Sequence, residues 1–348
     1  MTESVTGQVI RLKQSPERVL IVKPSSLGDV VHSLPFLNSL HACFPEASID
    51  WVIARGLDGL LEGHPMLDRL IVIDKDRWRR ISQAAVTLTE LKDLFRTLRA
   101  RRYDLVVDLQ GLLRSGLITK ATRARVRVGF SEAREGSRLF YTRTVRGGRE
   151  VHAVDRYLKV AAALGCETKN VVFPLPSSTG VSEKVKEVRN NLKNYIVLVP
   201  GARWDTKIWP VGNFGALASM LPLKSVVIGG SGDRERAEEI VRLSGGRAFS
   251  VAGNTNLPEL VELMRTAQCV VTNDSGPMHI AAALGIPVVA IFGPTSPVRT
   301  GPYGQRHVIL KSERGCAPCY KRRCADVRCM RDITVDMVLE KTKGFLAV

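Results

Sequence analysis

The chain has 348 residues, 45% hydrophobic and 24% charged, enough to fill two ordinary cores. Its formal net charge is +17, and between Lys75 and Arg156 twenty Lys and Arg stand against nine Asp and Glu. That local excess calls for a polyanionic partner: nucleic acid, an anionic leaflet, or a glycolipid bearing phosphates or carboxylates. No apolar run approaches the ~20 residues of a membrane-spanning helix. The opening stretch, Met1 to Arg18, is too polar for an export signal, so a soluble, cytoplasmic protein is expected.

In chain order, strand-like and helix-like patterns alternate. A strand at Arg18 to Lys23 is followed by a helix from about Asp29 to Phe44, strands at Ser48 to Ile53 and Leu70 to Ile73, a helix near Thr89 to Arg102, and a strand at Leu105 to Asp108. The composition then turns to Pro, Ser, Thr and Gly in FPLPSSTG, residues 173–180, which reads as a connector and divides the chain into 1–176 and 177–348. A second series follows: a strand at Tyr195 to Val199, helices near Val211 to Met220 and Arg234 to Leu243 flanking a strand at Ser225 to Ile228, a helix near Leu257 to Thr266, and strands at Cys269 to Thr272 and Val288 to Phe292. A helix at Val335 to Leu346 closes the chain. This rhythm predicts two parallel, doubly wound α/β domains, whose ligands bind beyond the carboxyl ends of the strands.

Three strand-to-helix junctions carry polar groups at those ends. In VLIVKPSSLGDVVHSLP, Ser25, Ser26 and the first helical amides can donate to a ligand oxygen, and Asp29 is the one carboxylate present. Asp29 by itself reads as a helix cap; facing a cleft, it has the chemistry of a general base toward a substrate hydroxyl. In LVPGARWDTKIWP, Lys207 is either a solvated loop lysine or a positive charge aimed at a diphosphate, and Trp204, Trp209 and Pro210 favour a shaped loop. In CVVTNDSGPMHIAAALGIPVVAIFGPTSP, Ser275, Gly276 and the following amides form an anion site at a helix terminus. There Asp274 can accept from sugar hydroxyls and His279 can donate to a phosphate, with capping and core packing as the plainer alternatives.

Of seven cysteines, Cys43, Cys166 and Cys269 lie singly in apolar patterns and read as buried thiols. Cys316, Cys319, Cys324 and Cys329 form C-x2-C-x4-C-x4-C, which suits a structural staple, either a metal (zinc or an iron-sulfur cluster) or a redox-sensitive disulfide. The spacing leaves open which of these it is.

Taken together, KPSSLGDVVHSLP, the KxWP of Lys207 to Pro210, and NDSGPMHIAAALGIPVVAIFGPTSP resemble the ADP-heptose:lipopolysaccharide heptosyltransferases, glycosyltransferase family 9. DLQGLLRSGLI, AREGSRLFY and HAVDRYLKVAAALG extend the likeness over nearly the whole chain, toward the enzymes that add the first inner-core heptose. The resemblance implies a GT-B fold, two Rossmann-like domains facing a cleft, with an acceptor-binding domain at 1–176 and a nucleotide-sugar-binding domain at 177–348. It implies transfer of L-glycero-D-manno-heptose with inversion from ADP-heptose to the Kdo region of a lipid A-Kdo acceptor, with no metal required for transfer. Residue by residue it puts the base on Asp29, the diphosphate lysine on Lys207, and the donor loop on Asp274, Ser275, Gly276 and His279. It further puts the ribose acid within SGDRERAEE, foremost at Glu235, an adenine-flanking loop near Thr255, and an acceptor contact at Arg134.

These expectations give the arginines of the first half an anionic glycolipid to capture, through peripheral contact at the cytoplasmic face of the inner membrane. A second or third heptosyltransferase, or another family 9 transferase, would use the same machinery. A nucleic-acid-binding protein would explain the charge, yet the basic region lacks clustered aromatics, a helix-turn-helix or an RNP motif, so no nucleic acid is expected. A non-catalytic sugar-nucleotide binder would leave Asp29 dispensable.

Overall fold

The computed structural model describes residues 9–79, 84–148, 150–178 and 180–346. Residues 1–8, part of the stretch weighed against an export signal, and Thr179, within the connector, lie outside them. The chain divides into two compact units, the first ending at Pro176 and the second beginning at Ser177. Each is described separately.

The first unit is built on β1 (Arg18–Val22), β2 (Ser48–Ala54), β3 (Arg69–Ile73), β4 (Leu105–Asp108), β5 (Val126–Phe130) and β6 (Arg143–Val145), all parallel, in the order β3-β2-β1-β4-β5-β6. The second repeats the plan with β7 (Tyr195–Val199), β8 (Lys224–Val227), β9 (Ala248–Ser250), β10 (Cys269–Asn273), β11 (Val288–Phe292) and β12 (His307–Lys311), in the order β12-β11-β10-β7-β8-β9. Central strands such as β1, β7 and β11 are apolar on both faces because helices cover both.

Counted within each unit, both sheets have the order 3-2-1-4-5-6. The direction of winding therefore reverses between β1 and β4 in the first unit and between β7 and β10 in the second. At such a switch point two consecutive loops leave in opposite directions and open a crevice beyond the strands' carboxyl ends.

Two helix expectations change. The helix drawn from Asp29 to Phe44 is two, Leu27–His32 and Leu34–Cys43, broken at Ser33. Pro35 has no N–H to return to the first helix, and the Ser33 hydroxyl takes up the carbonyls of Asp29 and Val30 at 2.9 and 2.8 Å. The helix near Thr89 begins at Ala84 and stops at Ala100, two residues before Arg102 turns to φ 51°. Among the described residues no helix is long and apolar enough to cross a membrane.

Candidate functional site

The crevice between β1 and β4 holds the first group of expected residues. Asp29 is the third residue of its helix, so its carboxylate turns back toward the entering chain: Oδ2 accepts from the Ser26 amide at 3.0 Å and from the Ser26 hydroxyl at 2.7 Å. The capping role is thus real, but it occupies one oxygen. The other, Oδ1, lies 3.3 Å from the Tyr157 hydroxyl, which donates to it, and 3.9 Å from the Lys23 ammonium. Lys23 is buried, whereas 35% of the Asp29 side chain remains exposed, enough for a substrate to reach it. The Ser25 amide donates to Gln110 Oε1 at 3.3 Å, tying this turn to the loop after β4.

Burial alone would push the Asp29 carboxyl up. The Lys23 charge and the two bonds from Ser26 more than offset it and hold Asp29 well below the usual carboxylate range. Burial in turn lowers Lys23, against the pull of Asp29 and Asp108, and the Arg156 and Arg134 guanidiniums lower it further. Arg134 is exposed, on a loop whose amide donates to the Gly111 carbonyl at 2.9 Å. Its charge therefore acts on the Lys23–Asp29 pair from the loop side.

Behind the pair stands Asp108 at the end of β4. Burial raises its carboxyl, opposed by the amides of Gly111 and Gln110 and by the Tyr141 hydroxyl at 2.7 Å. Tyr141 reaches it across Gly129, where a Cβ would overlap the tyrosine ring.

In the second unit the crevice between β7 and β10 gathers the donor-loop residues. Asn273 locks the two strand ends together, donating from Nδ2 to the Pro200 carbonyl at 2.7 Å and accepting the Trp209 amide at 3.1 Å. Trp209 is fully buried, its Nε1 bonded to the Ile333 carbonyl at 2.7 Å and its ring edge-on to Phe214. With Trp209 so anchored, the loop presents Lys207 in one place. Lys207 Nζ donates to Asp274 Oδ2 at 2.6 Å, the same oxygen takes the Thr295 hydroxyl at 2.7 Å, and the Trp204 ring lies 4.5 Å beneath the ammonium. With 15% of its side chain exposed, Lys207 is not a solvated loop lysine.

The helix Gly276–Ala283 begins here with Ser275 as its N-cap, and no side chain caps its first amides. The Ser275 hydroxyl pairs instead with Thr272 at 3.2 Å, leaving the helix terminus to a ligand anion. His279 lies buried in the first turns of that helix.

Two expected residues fall elsewhere in this unit. Glu235 is exposed in the first turn of the helix Arg234–Leu243, lining a groove with Val211, Arg236 and Arg242. Thr255 follows β9, its hydroxyl oxygen buried with no hydrogen-bond partner among the described residues. The acid at the end of β8 is Asp233, which accepts the Gly230 amide at 3.0 Å. A Cβ on Gly201 would come within 2.6 Å of its carboxylate. Asp233 lies within the same SGDRERAEE segment, two residues before Glu235, in GGSGD, an acid soon after a glycine-rich strand exit. Tyr157 and Asp108 were missed, since each reaches its partner only through tertiary packing, whereas Thr295 lies in the IFGPTSP junction that the sequence offers to the same site.

The four clustered cysteines line one cavity of about 160 Å³ together with Thr206, Pro294 and Asp326. All are free thiols, and burial and the neighbouring cysteines raise Cys329. Among the described residues no three Cys, His, Asp or Glu are grouped to hold a metal.

The first unit thus holds a reachable carboxylate at its switch point, and the second holds a lysine and a helix terminus without a side-chain cap at its own. The family model for glycosyltransferase family 9 (heptosyltransferase) matches residues 91–328. The chain belongs to glycosyltransferase family 9. Lipopolysaccharide heptosyltransferase 1 of Pseudomonas aeruginosa is 33% identical over 317 residues, which cover 88% of this chain and 87% of that one. The crystal structure of a family 9 glycosyltransferase from Veillonella parvula matches with a TM-score of 0.82 at 26% identity, over 95% of this chain and 97% of that one. An Escherichia coli heptosyltransferase solved with ADP-2-deoxy-2-fluoro heptose matches with a TM-score of 0.75 at 26% identity, over 94% and 99%. The chain is therefore a glycosyltransferase of the GT-B fold, as the sequence resemblance implied.

Replacing Lys23 with methionine tests the electrostatics of the first crevice. Removing a neighbouring positive charge raises a carboxyl pKa, so the acid limb of kcat/KM is expected to move to higher pH by about one to three units. Thermal melting distinguishes this shift from unfolding. An acid limb unchanged from wild type would mean that Lys23 does not hold the Asp29 charge.

Proposed function

We propose that this enzyme transfers heptose from ADP-heptose to the Kdo region of a lipopolysaccharide inner-core acceptor, in one inverting displacement. The observations that carry the reading are a substrate-accessible Asp29 in the first unit and, in the second, the Lys207–Asp274 pair with its helix-terminus anion site, in a chain similar to heptosyltransferases over most of its length. In this reading Asp29 accepts the proton of the attacking acceptor hydroxyl. The bond from that oxygen to the anomeric carbon forms on the face opposite the departing ADP, so the configuration inverts.

Lys207 and the amides that follow Ser275 stabilise the negative charge that builds on the leaving diphosphate, with His279 beside them. Ser25 and Ser26 shape the turn at the reacting centre, while Glu235 and Thr255 serve the ribose and adenine. Asp233 is a second candidate for the ribose contact because it stands at the strand end itself.

A carboxylate held low is a weak base, but here it suffices. Glycosyl transfer runs through an oxocarbenium-like transition state in which the attacking hydroxyl becomes strongly acidic as its bond forms. A base that stays ionised is then worth more than one of high pKa.

The test is direct: purified protein with ADP-heptose and either a Kdo-terminated acceptor or one already carrying the first heptose. One heptose added to the Kdo-terminated acceptor alone, with inverted anomeric configuration, is the expected result. Transfer only to the second acceptor would make it a second heptosyltransferase.

The basic first unit is read as the acceptor side, at the cytoplasmic face of the inner membrane. Arg134→Ala is expected to raise the acceptor KM by about tenfold, the worth of one charge-assisted hydrogen bond to a carboxylate or phosphate. ADP-heptose affinity should be unchanged. Wild-type acceptor kinetics in that variant would remove Arg134 from the acceptor site.

A further inference from the structure

We infer that the helix Leu113–Ala121 and the short 3-10 helix Ser137–Phe140 together form the surface by which this enzyme docks on an anionic lipid bilayer. The inference rests on the glycolipid-acceptor reading and adds where the membrane is met and by which side chains. Leu113 and Leu117, one turn apart on one face of the helix, are 42% and 43% exposed, and Leu139 on the neighbouring element is 86% exposed. Side chains of this size standing in water on two elements packed against each other have no folding role there, and together they mark an interaction site.

The two elements form one rigid piece. A Cβ on Gly116 would overlap the Phe140 ring and touch Ser137, so only glycine allows this close a seat. Lys120 Nζ lies 5.4 Å over the same Phe140 ring, which holds its ammonium on the 3-10 helix that carries Leu139. Arg114, Arg123 and Arg138 are exposed around it. The acid of this surface, Glu135, spends its carboxylate on the Leu113 amide at 3.1 Å.

The cationic border continues onto the helix Ala84–Ala100 and the turn after it, where Lys92, Arg96, Arg99 and Arg102 line an open groove around Phe95. Arg99 Nε donates to the Ala121 carbonyl at 3.3 Å and joins that groove to the end of the leucine helix. Apolar side chains ringed by Lys and Arg are the pattern of an interfacial anchor: the leucines enter the acyl boundary while the cations meet anionic headgroups. A second copy of the chain fits poorly, because a two-fold contact would set this cationic border against itself.

The position suits the reaction. Arg134 heads the loop that carries Leu139, and that loop bonds through its amide to Gly111 beside the Asp29 crevice. A bilayer held at Leu139 would present its headgroups within reach of that crevice.

The experiment is sedimentation of the full-length protein with vesicles of phosphatidylcholine alone or with phosphatidylglycerol, no sugar donor present, for wild type and Leu117→Ser/Leu139→Ser. Wild type is expected to bind the anionic vesicles, less so as salt rises. The variant should bind about tenfold more weakly with unchanged melting, since both leucines lie outside the core. Its KM should rise similarly for acceptor embedded in vesicles, while its kinetics on a deacylated, water-soluble acceptor stay at wild-type values. Equal vesicle binding by the two proteins overturns the inference, as does a wild-type dimer that the substitutions turn into monomer. Leucine-dependent vesicle binding without any heptose transfer would leave the docking surface standing and remove the function proposed above.

Discussion

Replacing Asp29 with asparagine is expected to lower turnover by about 10² to 10⁴, the range typical of a lost general base, in a protein that stays folded and binds ADP as before. Asparagine keeps the shape, and its carbonyl oxygen can still accept the Ser26 amide that Asp29 Oδ2 accepts at 3.0 Å. What it cannot do is take a proton. Lys23 would lose its nearer counter-charge but keep that of Asp108, so a small loss of melting temperature is expected rather than collapse. Turnover near wild type would reduce Asp29 to the helix-entry role that its bonds to Ser26 already describe.

The same substitution separates two ways of reading the crevice. A carboxylate that only orders the turn acts through Oδ2, and its loss would appear as lower stability with the rate per folded molecule preserved. A base acts through Oδ1, the oxygen facing Tyr157 and Lys23. Tyr157→Phe removes one bond to that oxygen and leaves the Ser26 bonds intact, so its effect on rate should be small beside that of Asp29→Asn.

The fold was legible where strands were central. Apolar runs such as Val19 to Val22 and Val288 to Phe292 are buried on both faces and stand out from any flanking pattern. Strands carrying charged residues were not read: Arg127 in β5, Arg143 in β6, and His307 and Lys311 in β12 break the apolar pattern, whereas the edge strand β3 was read from its apolar run Leu70 to Ile73. The break at Ser33 escaped for a different reason. Apolar residues continue across it, so periodicity alone runs the two helices together, and Pro35 was the available sign.

The candidate site was legible to the extent that it follows strand ends. Asp274 and Ser275 directly follow a strand and Asp29 and Lys207 lie in the turns and helix starts that leave one, and the switch points make those ends the natural places for ligands. Tyr157, which reaches Asp29 across 128 residues of sequence, and Thr295, which reaches Asp274 across 21, depend on which helix packs over which loop. No local pattern carries that information. The distinction between Asp233 and Glu235 is also tertiary: it rests on the backbone of Gly201 passing beside the Asp233 carboxylate.

Lys207→Ala is expected to lower kcat/KM for the donor by about 10² to 10³, the loss seen when one preorganised donor to developing negative charge is removed. The structure makes the effect larger than that of a lysine in solvent. Lys207 neutralises Asp274, which is 8% exposed and whose Oδ2 is shared with the Thr295 hydroxyl. With the lysine gone, a buried carboxylate stands uncompensated beside the place where the diphosphate is read to sit, and like charges repel strongly where water is scarce. The alanine variant thus loses an attraction and gains a repulsion. Adding Asp274→Asn removes the repulsion, so Lys207→Ala/Asp274→Asn should bind ADP more tightly than Lys207→Ala alone, though more weakly than wild type. Calorimetric ADP titration of the four proteins in this cycle measures the coupling directly. If the double variant binds no better than Lys207→Ala, Asp274 does not face the diphosphate and the ion pair is a strut of the loop. If all four bind ADP alike, the donor site lies away from the β7 and β10 strand ends.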